Sequence, residues 1–294
     1  MARSKTIEIS GLNIVTQPHK PEDYIWFFNY ISKSKKYIPI RGSDCIMLCD
    51  ISPISDDDPL EGIKGTILKF SKIDSDADWA DITSAVALSD NEVPKIPSNL
   101  QPNASFIPFV FYPKGKERAH KLFYISKSRD SSRKKNISLS PNLLKKFFEA
   151  FTEDANVKEK FRTLKVTVLP SSSALEKVLS LDFIRRLDLV IYAPNPDSPN
   201  LRAQMKQRME NMNVEKIEES YISDGGSIEP DTTLRAEAEV AAENGQVISY
   251  GRVQGRTVKR STSDIPMARR VQVDTSSPQA ERYALQQFKY NERD

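Results

Sequence analysis

The chain has 294 residues, of which 38% are hydrophobic, and it carries a formal net charge of +3. This length suggests one large domain or two ordinary ones, and the mixed composition excludes an intrinsically disordered chain. No apolar run approaches the length of a membrane span, and residues 1–7 lack the apolar core of a signal peptide. The presence of only two cysteines argues against a disulfide scaffold. We therefore expect a cytoplasmic protein with no membrane contact.

The first third of the sequence predicts several strands and one helix. Isoleucine and leucine alternate loosely over residues 6–15, which indicates an opening strand. Pro21 suits the first position of a helix, because its missing N–H has no intrahelical partner there, and aromatic residues follow it at helical spacing. The segments 37–40, 45–51 and 63–70 are typical of further strands.

The middle of the chain predicts a hairpin and a second helix. Residues 106–112 and 121–126 alternate as two strands around a turn that contains proline and glycine. Ser140 and Pro141 suit the N-cap and first position of a helix whose other residues form a broad apolar face.

Residues 164–192 form the clearest local pattern in the chain. Residues 164–169 predict a strand, and residues 187–192 predict another. Between them, Ser173 and Glu176 have the spacing of a capping box, in which each side chain satisfies a helix-terminal N–H. The pattern predicts a compact β-α-β unit.

The last third predicts alternating helices and strands. Residues 201–212 and 232–243 are typical of helices, residues 214–222 of a strand, and residues 246–262 of a hairpin. A short terminal helix should follow, with an apolar side formed by Ala280, Tyr283, Ala284 and Phe288. Because so short a helix is marginal alone, it should dock on a partner, on a second copy, or over a sheet edge.

Together these elements predict an α+β protein with two mixed α/β-sheet domains. We expect the first domain over residues 1–162 and the second, built on the β-α-β unit, over residues 163–275. The short helical tail then covers residues 276–294.

The strongest chemical bias is a basic cluster between residues 114 and 135, where nine basic residues face only two acids. Such clusters neutralise phosphates, and interleaved aromatic rings can stack on bases, although the rings of an alternating strand can equally face the core. A smaller basic group lies over residues 252–260, with Arg269 and Arg270 beyond it. The predicted nucleic-acid-binding residues are Lys114, Lys116, Arg118, Lys121, Lys127, Arg129, Arg133, Lys134 and Lys135.

Catalytic signals are weaker. Asp50, Glu61 and Lys64 offer the carboxylates and lysine of a divergent Mg²⁺-dependent nuclease, but acid-rich turns are also common surface features. No glycine-rich phosphate loop or nucleophile turn is present in the sequence. We therefore predict no catalytic residues outside that alternative, and no cofactor except Mg²⁺ under it.

The histidines and cysteines predict structural roles. His19 and His120 lie beside no nucleophile motif, so we expect them to be exposed and structural. Cys45 and Cys49 share one face of a strand with Met47 and Ile51, so we expect buried, reduced thiols without a metal.

Two segments carry a resemblance. Residues 4–14 (SKTIEISGLNI) and 242–251 (AENGQVISYG), with Ser261, Thr262 and Pro266, resemble a bacterial and prophage-borne family of unknown function. The resemblance covers residues 6–273. It implies a setting in mobile, phage-related genes, where antiviral defence and toxin–antitoxin roles are common.

The leading interpretation is a non-catalytic nucleic-acid-binding or sensing subunit of a bacterial antiphage defence or toxin–antitoxin system. It would act with a protein partner or as a homo-oligomer. The alternatives are the Mg²⁺-dependent nuclease and a protein–protein scaffold subunit.

Overall fold

The computed structural model describes residues 4–74, 77–81, 83–89, 95–115, 118–130, 135–192, 200–274, 277 and 279–288. The helices are α1 (Pro21–Ser34), α2 (Pro141–Glu149), α3 (Ala155–Lys160), α4 (Ala174–Leu179), α5 (Asn200–Asn211), α6 (Thr232–Asn244) and α7 (Ala280–Gln287). The strands are β1 (Ser4–Gln17), β2 (Ile38–Arg41), β3 (Asp44–Pro53), β4 (Ile63–Ser71), β5 (Ala80–Asp81), β6 (Val86–Ala87), β7 (Ser105–Tyr112), β8 (Lys121–Asp130), β9 (Lys135–Ser138), β10 (Thr163–Val168), β11 (Phe183–Tyr192), β12 (Lys216–Ile222), β13 (Gly245–Val253), β14 (Arg256–Ser261) and β15 (Arg269–Asp274). These helices and sheets confirm the predicted α+β class.

The larger sheet has nine strands and is organised around β1. Its main path runs β10-β1-β8-β7-β4-β3-β2, while β15 also pairs with β1 and β9 also pairs with β8. The first half of β1 pairs with β15 and its second half pairs with β10, so two strands share one side of it. All strand pairings in the described ranges are antiparallel, and therefore neither of the two main sheets is mixed in strand direction.

Helices α1 and α2 cover one face of this sheet through aromatic side chains. Tyr24, Phe27 and Phe28 of α1 are completely buried, as the helical spacing of these residues predicts. The ring of Phe28 lies 4.7 Å from that of Phe111 on β7. Burying a phenylalanine contributes roughly 1.5–3 kcal/mol, so this layer is a major part of the core.

Helix α7 packs on the opposite face of the same sheet. Phe111 faces α1, so its neighbour Val110 points the other way, and Phe123 lies opposite Val110 in the register. The ring of Phe288, just after α7, lies 5.0 Å from that of Phe123, whereas Tyr283 is 63% exposed. The predicted terminal helix is therefore present, and it covers a sheet of its own chain.

The smaller sheet has four strands in the order β12-β11-β13-β14. Leu187, Leu189 and Val247 point from its central strands into a second apolar core. Val178 of α4 and Ala241 of α6 enter the same core. These helices therefore lie on one face of the sheet only.

The strand–helix–strand order over residues 164–192 is found, but its strands do not form a β-α-β unit. β10 pairs antiparallel with β1 in the larger sheet, whereas β11 belongs to the smaller one. A β-α-β unit needs two parallel strands in one sheet, and its crossover helix is usually longer than the six residues of α4. The β-α-β prediction was wrong because the sequence of a strand and its near neighbours does not determine which strand it pairs with. The domain boundary at residues 162 and 163 stays a prediction.

The prediction of a capping box at Ser173 is also wrong. Ser173 has φ −92° and ψ 0°, outside the extended region that an N-cap requires, and its side chain makes no cap hydrogen bond. Glu176 instead accepts a hydrogen bond from Arg235 of α6 at 3.1 Å. The Glu176 carboxylate therefore contributes to the contact between α4 and α6 and does not cap the N-terminus of α4.

Candidate nucleic-acid interface

The aromatic residues of the basic hairpin belong to the core. Phe109, Phe111 and Phe123 are at most 1% exposed, and Tyr112 and Tyr124 are buried as well. Burial raises the pKa of Tyr124 well above its usual value, and its hydroxyl donates to the Leu139 carbonyl at 3.0 Å. These rings therefore cannot stack on bases while the sheet is intact.

Several hairpin cations are engaged within the protein. Lys114 lies 2.8 Å from Asp58, where it lowers the pKa of that carboxyl, and Lys127 lies 2.9 Å from Glu8. Lys121 is buried in β8, whereas Arg129 is exposed.

Arg118 anchors the terminal helix rather than facing outward. Its guanidinium donates to the Gln286 carbonyl of α7 at 3.0 Å and to the Tyr112 hydroxyl at 3.2 Å. Lys116, Arg133 and Lys134 lie outside the described residues, and so does the side chain of Lys135. The role predicted for the cluster as a whole stays a prediction.

The carboxylates of the nuclease alternative are on the surface. Asp50 and Glu61 are exposed, and Asp50 has φ +56° at an irregularity of β3. Lys64 lies on β4 opposite Ser52. Within the described ranges, no three His, Cys, Asp or Glu side chains are grouped so that they could hold a metal ion.

The two histidines form a contact that sequence reasoning missed. Their rings lie 4.2 Å apart, and Nδ1 of His19 is 3.1 Å from the Tyr24 hydroxyl. His120 is completely buried, so its predicted exposure is wrong. The residue ends the β7–β8 turn at φ +63°, and this conformation directs the ring into the core, where it stacks on Tyr24.

The two thiols lie in different environments. Cys45 is buried, whereas Cys49 is partly buried, and both are free. Burial raises the pKa of Cys49 to about 11, and the nearby Asp50 carboxylate adds to this rise. Both thiols are therefore weak nucleophiles at neutral pH.

A second polar surface lies on the smaller sheet, on the side away from its helices. We call it the open face and define it by Arg186, Tyr250, Arg252 and Lys259. Successive side chains of a strand point to opposite faces. Since Leu187 and Ser249 point toward the helices, Arg186 and Tyr250 point away from them.

Tyr250 is the centre of the open face. The strand register places it between Arg186 on β11 and Lys259 on β14. The guanidinium carbon of Arg186 is 5.4 Å from the ring centroid of Tyr250, and Nζ of Lys259 is 5.5 Å from it. One aromatic ring is therefore flanked by cations on both neighbouring strands.

Arg186 is held in place by an acid of the same strand. Its Nε lies 2.7 Å from Oδ1 of Asp188, and this hydrogen bond raises the pKa of the guanidinium further. Oδ1 of Asp188 also accepts a hydrogen bond from the Ser220 hydroxyl at 2.8 Å. The fixed guanidinium loses less conformational freedom when a ligand binds.

The rim of the open face carries positive charge. Arg252 and Lys259 are exposed, and neither forms an ion pair with a described residue. Ile222, on the edge strand beside Arg186, is 70% exposed. Arg260 and Arg256 differ, because both lie on the helix-covered face of β14: Arg260 donates to the Lys177 carbonyl of α4, and Arg256 shares its strand face with the core-facing Val258.

This arrangement suits an unpaired nucleic acid strand. A partly exposed aromatic ring such as that of Tyr250 can stack on any base, and guanidinium and ammonium groups beside it can contact phosphates. An open four-stranded sheet with helices on its other face is a known platform for such binding.

The comparison with protein families covers almost the whole chain. A family model matches residues 5–288. The chain belongs to DUF4747, a domain of unknown function. No curated protein matches it. The predicted family of unknown function is thereby confirmed for this DUF4747 chain, and its bacterial and prophage origin stays a prediction.

The sequence contained part of the signal for the open face. The basic group over residues 252–260 includes Arg252 and Lys259, but Arg186 and Tyr250 were missed. Arg186, together with Arg185 and Asp188, interrupts a largely apolar strand, which is a usable signal. Among the helices of the described ranges, none has both the length and the apolar composition needed to cross a bilayer.

Proposed function

We propose that this chain is a non-catalytic nucleic-acid-binding subunit, and that its open face takes single-stranded nucleic acid. The observation that carries the proposal is Tyr250, which lies between Arg186 and Lys259 on the sheet surface that faces away from α4 and α6. The nine-residue hairpin cluster supports it less, because Arg118, Lys121 and Lys127 already have roles within the fold.

Stacking on Tyr250 is the first part of the binding mode. A base stacked on an aromatic side chain contributes about 1–3 kcal/mol. Tyr250→Ala should therefore weaken binding about 5- to 150-fold. Tyr250→Phe should bind like the wild type, because it keeps the ring and loses only the hydroxyl.

Phosphate contact is the second part. Each contact with a single strand contributes about 0.7 to the slope of log K against log salt. Arg252 and Lys259, which form no ion pair with a described residue, predict a slope of about −1.4 for the wild type. Replacing both by alanine should bring the slope close to zero.

Fluorescence anisotropy with labelled single-stranded DNA and RNA 20-mers tests both parts. Lys33→Ala with Lys177→Ala is the matched control, because these exposed lysines lie on α1 and α4, away from the open face. The control should bind like the wild type. Unchanged affinity in both Tyr250→Ala and the Arg252–Lys259 variant would refute the open face as the site.

A further variant distinguishes binding at the basic hairpin from binding at the open face. Reversing Arg133, Lys134 and Lys135 to glutamate should leave open-face binding largely intact. Loss of binding only in this triple variant would assign the site to the hairpin instead.

The biological setting belongs to the same proposal. We place the chain in the cytoplasm, where a reducing environment suits its two free thiols. A role in antiphage defence or in a toxin–antitoxin system requires a protein partner or a homo-oligomer to supply any killing activity. Plaque counts on a host that carries the gene with Tyr250→Ala, against the unmodified gene, test this role.

A further inference from the structure

A pocket of about 1210 Å³ lies on the larger sheet and shares none of the residues that define the open face. Its wall includes Tyr37, Phe106 and Trp79, from the β2 end of the sheet, from β7 and from the segment after β4. Pockets for small organic ligands usually measure about 300–1,000 Å³ and are lined mainly by apolar and aromatic side chains. This pocket has room for a ligand with more than one ring.

The apolar wall of the pocket is unusually exposed. Tyr37 is 41% exposed, Ile96 43%, Phe106 54% and Leu100 56%, and all four line the pocket. They are half of the large exposed hydrophobic side chains in the described part of the chain. Contiguous exposed apolar surface of this kind marks a binding site.

The charged groups of the pocket are mostly positive. Lys35, Lys72 and Lys95 line it, against the single carboxylate of Asp78. None of these lysines forms an ion pair with another residue that the structure describes. Nζ of Lys72 lies 5.7 Å from the ring centroid of Tyr37, which places a cation over this aromatic ring.

The indole of Trp79 provides a second, independent observation. Its Nε1 is buried and has no hydrogen-bond partner among the described residues. Buried indole N–H groups usually find an acceptor. Because Trp79 lines the pocket, a ligand acceptor atom that displaces the atoms covering this N–H, such as a carbonyl, ring nitrogen or phosphate oxygen, would satisfy it.

We propose that this pocket binds a small aromatic anion. The planar ring packs on the exposed wall of Tyr37 and Phe106, the anionic group lies near Lys72 and Lys95, and an acceptor atom meets Nε1 of Trp79. A long alkyl chain suits the pocket less, because the exposure of the wall would leave part of that chain in water. The proposal is independent of nucleic-acid binding at the open face.

The test uses three probes on the full chain. The first is 1-anilinonaphthalene-8-sulfonate, an aromatic anion that fluoresces in apolar sites. The second is N-phenyl-1-naphthylamine, its uncharged analogue. The third is adenosine monophosphate, read by quenching of Trp79 in a Trp26→Phe background, since the chain has two tryptophans.

Pairs of matched variants locate the binding. Lys72→Gln with Lys95→Gln should weaken binding of the anilinonaphthalene sulfonate about tenfold or more, because charge-assisted contacts are lost. Lys33→Gln should not. Phe106→Ser should also weaken it, whereas Tyr283→Ser, which removes a similarly exposed ring on α7, should not. All five substituted positions are exposed, and thermal melts confirm that each variant folds.

The outcomes decide the proposal. Saturable binding of the sulfonate, with at least about tenfold preference over the uncharged amine, supports it. If adenosine monophosphate also binds, the natural ligand of the pocket is a nucleotide. If it does not bind, the natural ligand is another aromatic anion. Equal binding of the charged and uncharged probes, or binding that is unaffected by the lysine and Phe106 variants, would overturn it.

Discussion

Helix α7 should stabilise the larger sheet, and Phe288→Ala is the perturbation that tests this role. Phe288 is 6% exposed, its ring lies 5.0 Å from that of Phe123, and Arg269 lies 5.7 Å from its centroid. Truncating a buried phenylalanine costs about 3–5 kcal/mol. In a chain of this size each kcal/mol lowers the melting temperature by about 2–4 °C. We therefore expect a fall of roughly 6–20 °C in thermal melts followed by circular dichroism.

Tyr283→Ala is the control on the same helix. Tyr283 is 63% exposed, so its truncation should change the free energy of unfolding by less than about 0.5 kcal/mol. Deleting residues 278–294 should lower the melting temperature at least as much as Phe288→Ala, with the oligomeric state unchanged. An unaltered melting temperature in Phe288→Ala, together with loss of an oligomer on deletion, would show that α7 acts as an outward-facing dock and would refute the packing argument.

Three further predictions concern a carboxylate, the thiols and a glycine. The hydrogen bond from Lys69 lowers the pKa of Asp44 in the folded protein. The ionised Asp44 therefore stabilises the fold at pH values above its unfolded-state pKa of about 3.9, and this stabilisation is lost as pH falls through the folded-state pKa. Urea midpoints of the wild type and of Asp44→Asn should differ at pH 7 and converge in acid. Because burial raises the pKa of Cys49 to about 11 and also raises that of Cys45, a thiol reagent at pH 8 should react slowly with the native protein and rapidly after denaturation. Rapid reaction of both thiols in the native protein, or stoichiometric zinc on elemental analysis, would contradict this prediction. A Cβ at Gly245 would collide with the Val190 carbonyl, so Gly245→Ala should cost about 1–3 kcal/mol in denaturant titrations, whereas Gly226→Ala, which meets no atom within 4 Å, should cost far less.

Local periodicity predicted most of the elements. The strand over residues 6–15 and the helix that begins at Pro21 were found because their apolar spacing depends only on near neighbours. Strand partners depend on residues far along the chain. β10 pairs with β1 across about 150 residues, and no pattern within residues 164–192 could encode that choice.

The candidate sites show the same limit. The basic hairpin is conspicuous in the sequence, but the carboxylates of Asp58 and Glu8 that pair with its lysines come from other strands and loops. Conversely, Arg186 and Tyr250 are 64 positions apart, and only the pairing of β11 with β13 brings them together. A charge cluster along a sequence therefore does not reveal which of its cations are paired within the fold, nor which distant residues lie beside it.

Photocrosslinking tests the central claim most directly, because it locates the bound strand without altering the protein. A single-stranded oligonucleotide that contains 5-iodouracil is bound, irradiated and digested with trypsin, and the crosslinked peptide is sequenced by mass spectrometry. The tryptic peptide 236–252 contains Tyr250 as its single aromatic residue. We predict that the crosslink lies at Tyr250 in this peptide. A crosslink confined to residues 109–135, or to the helices on the other face of the smaller sheet, would contradict binding at the open face.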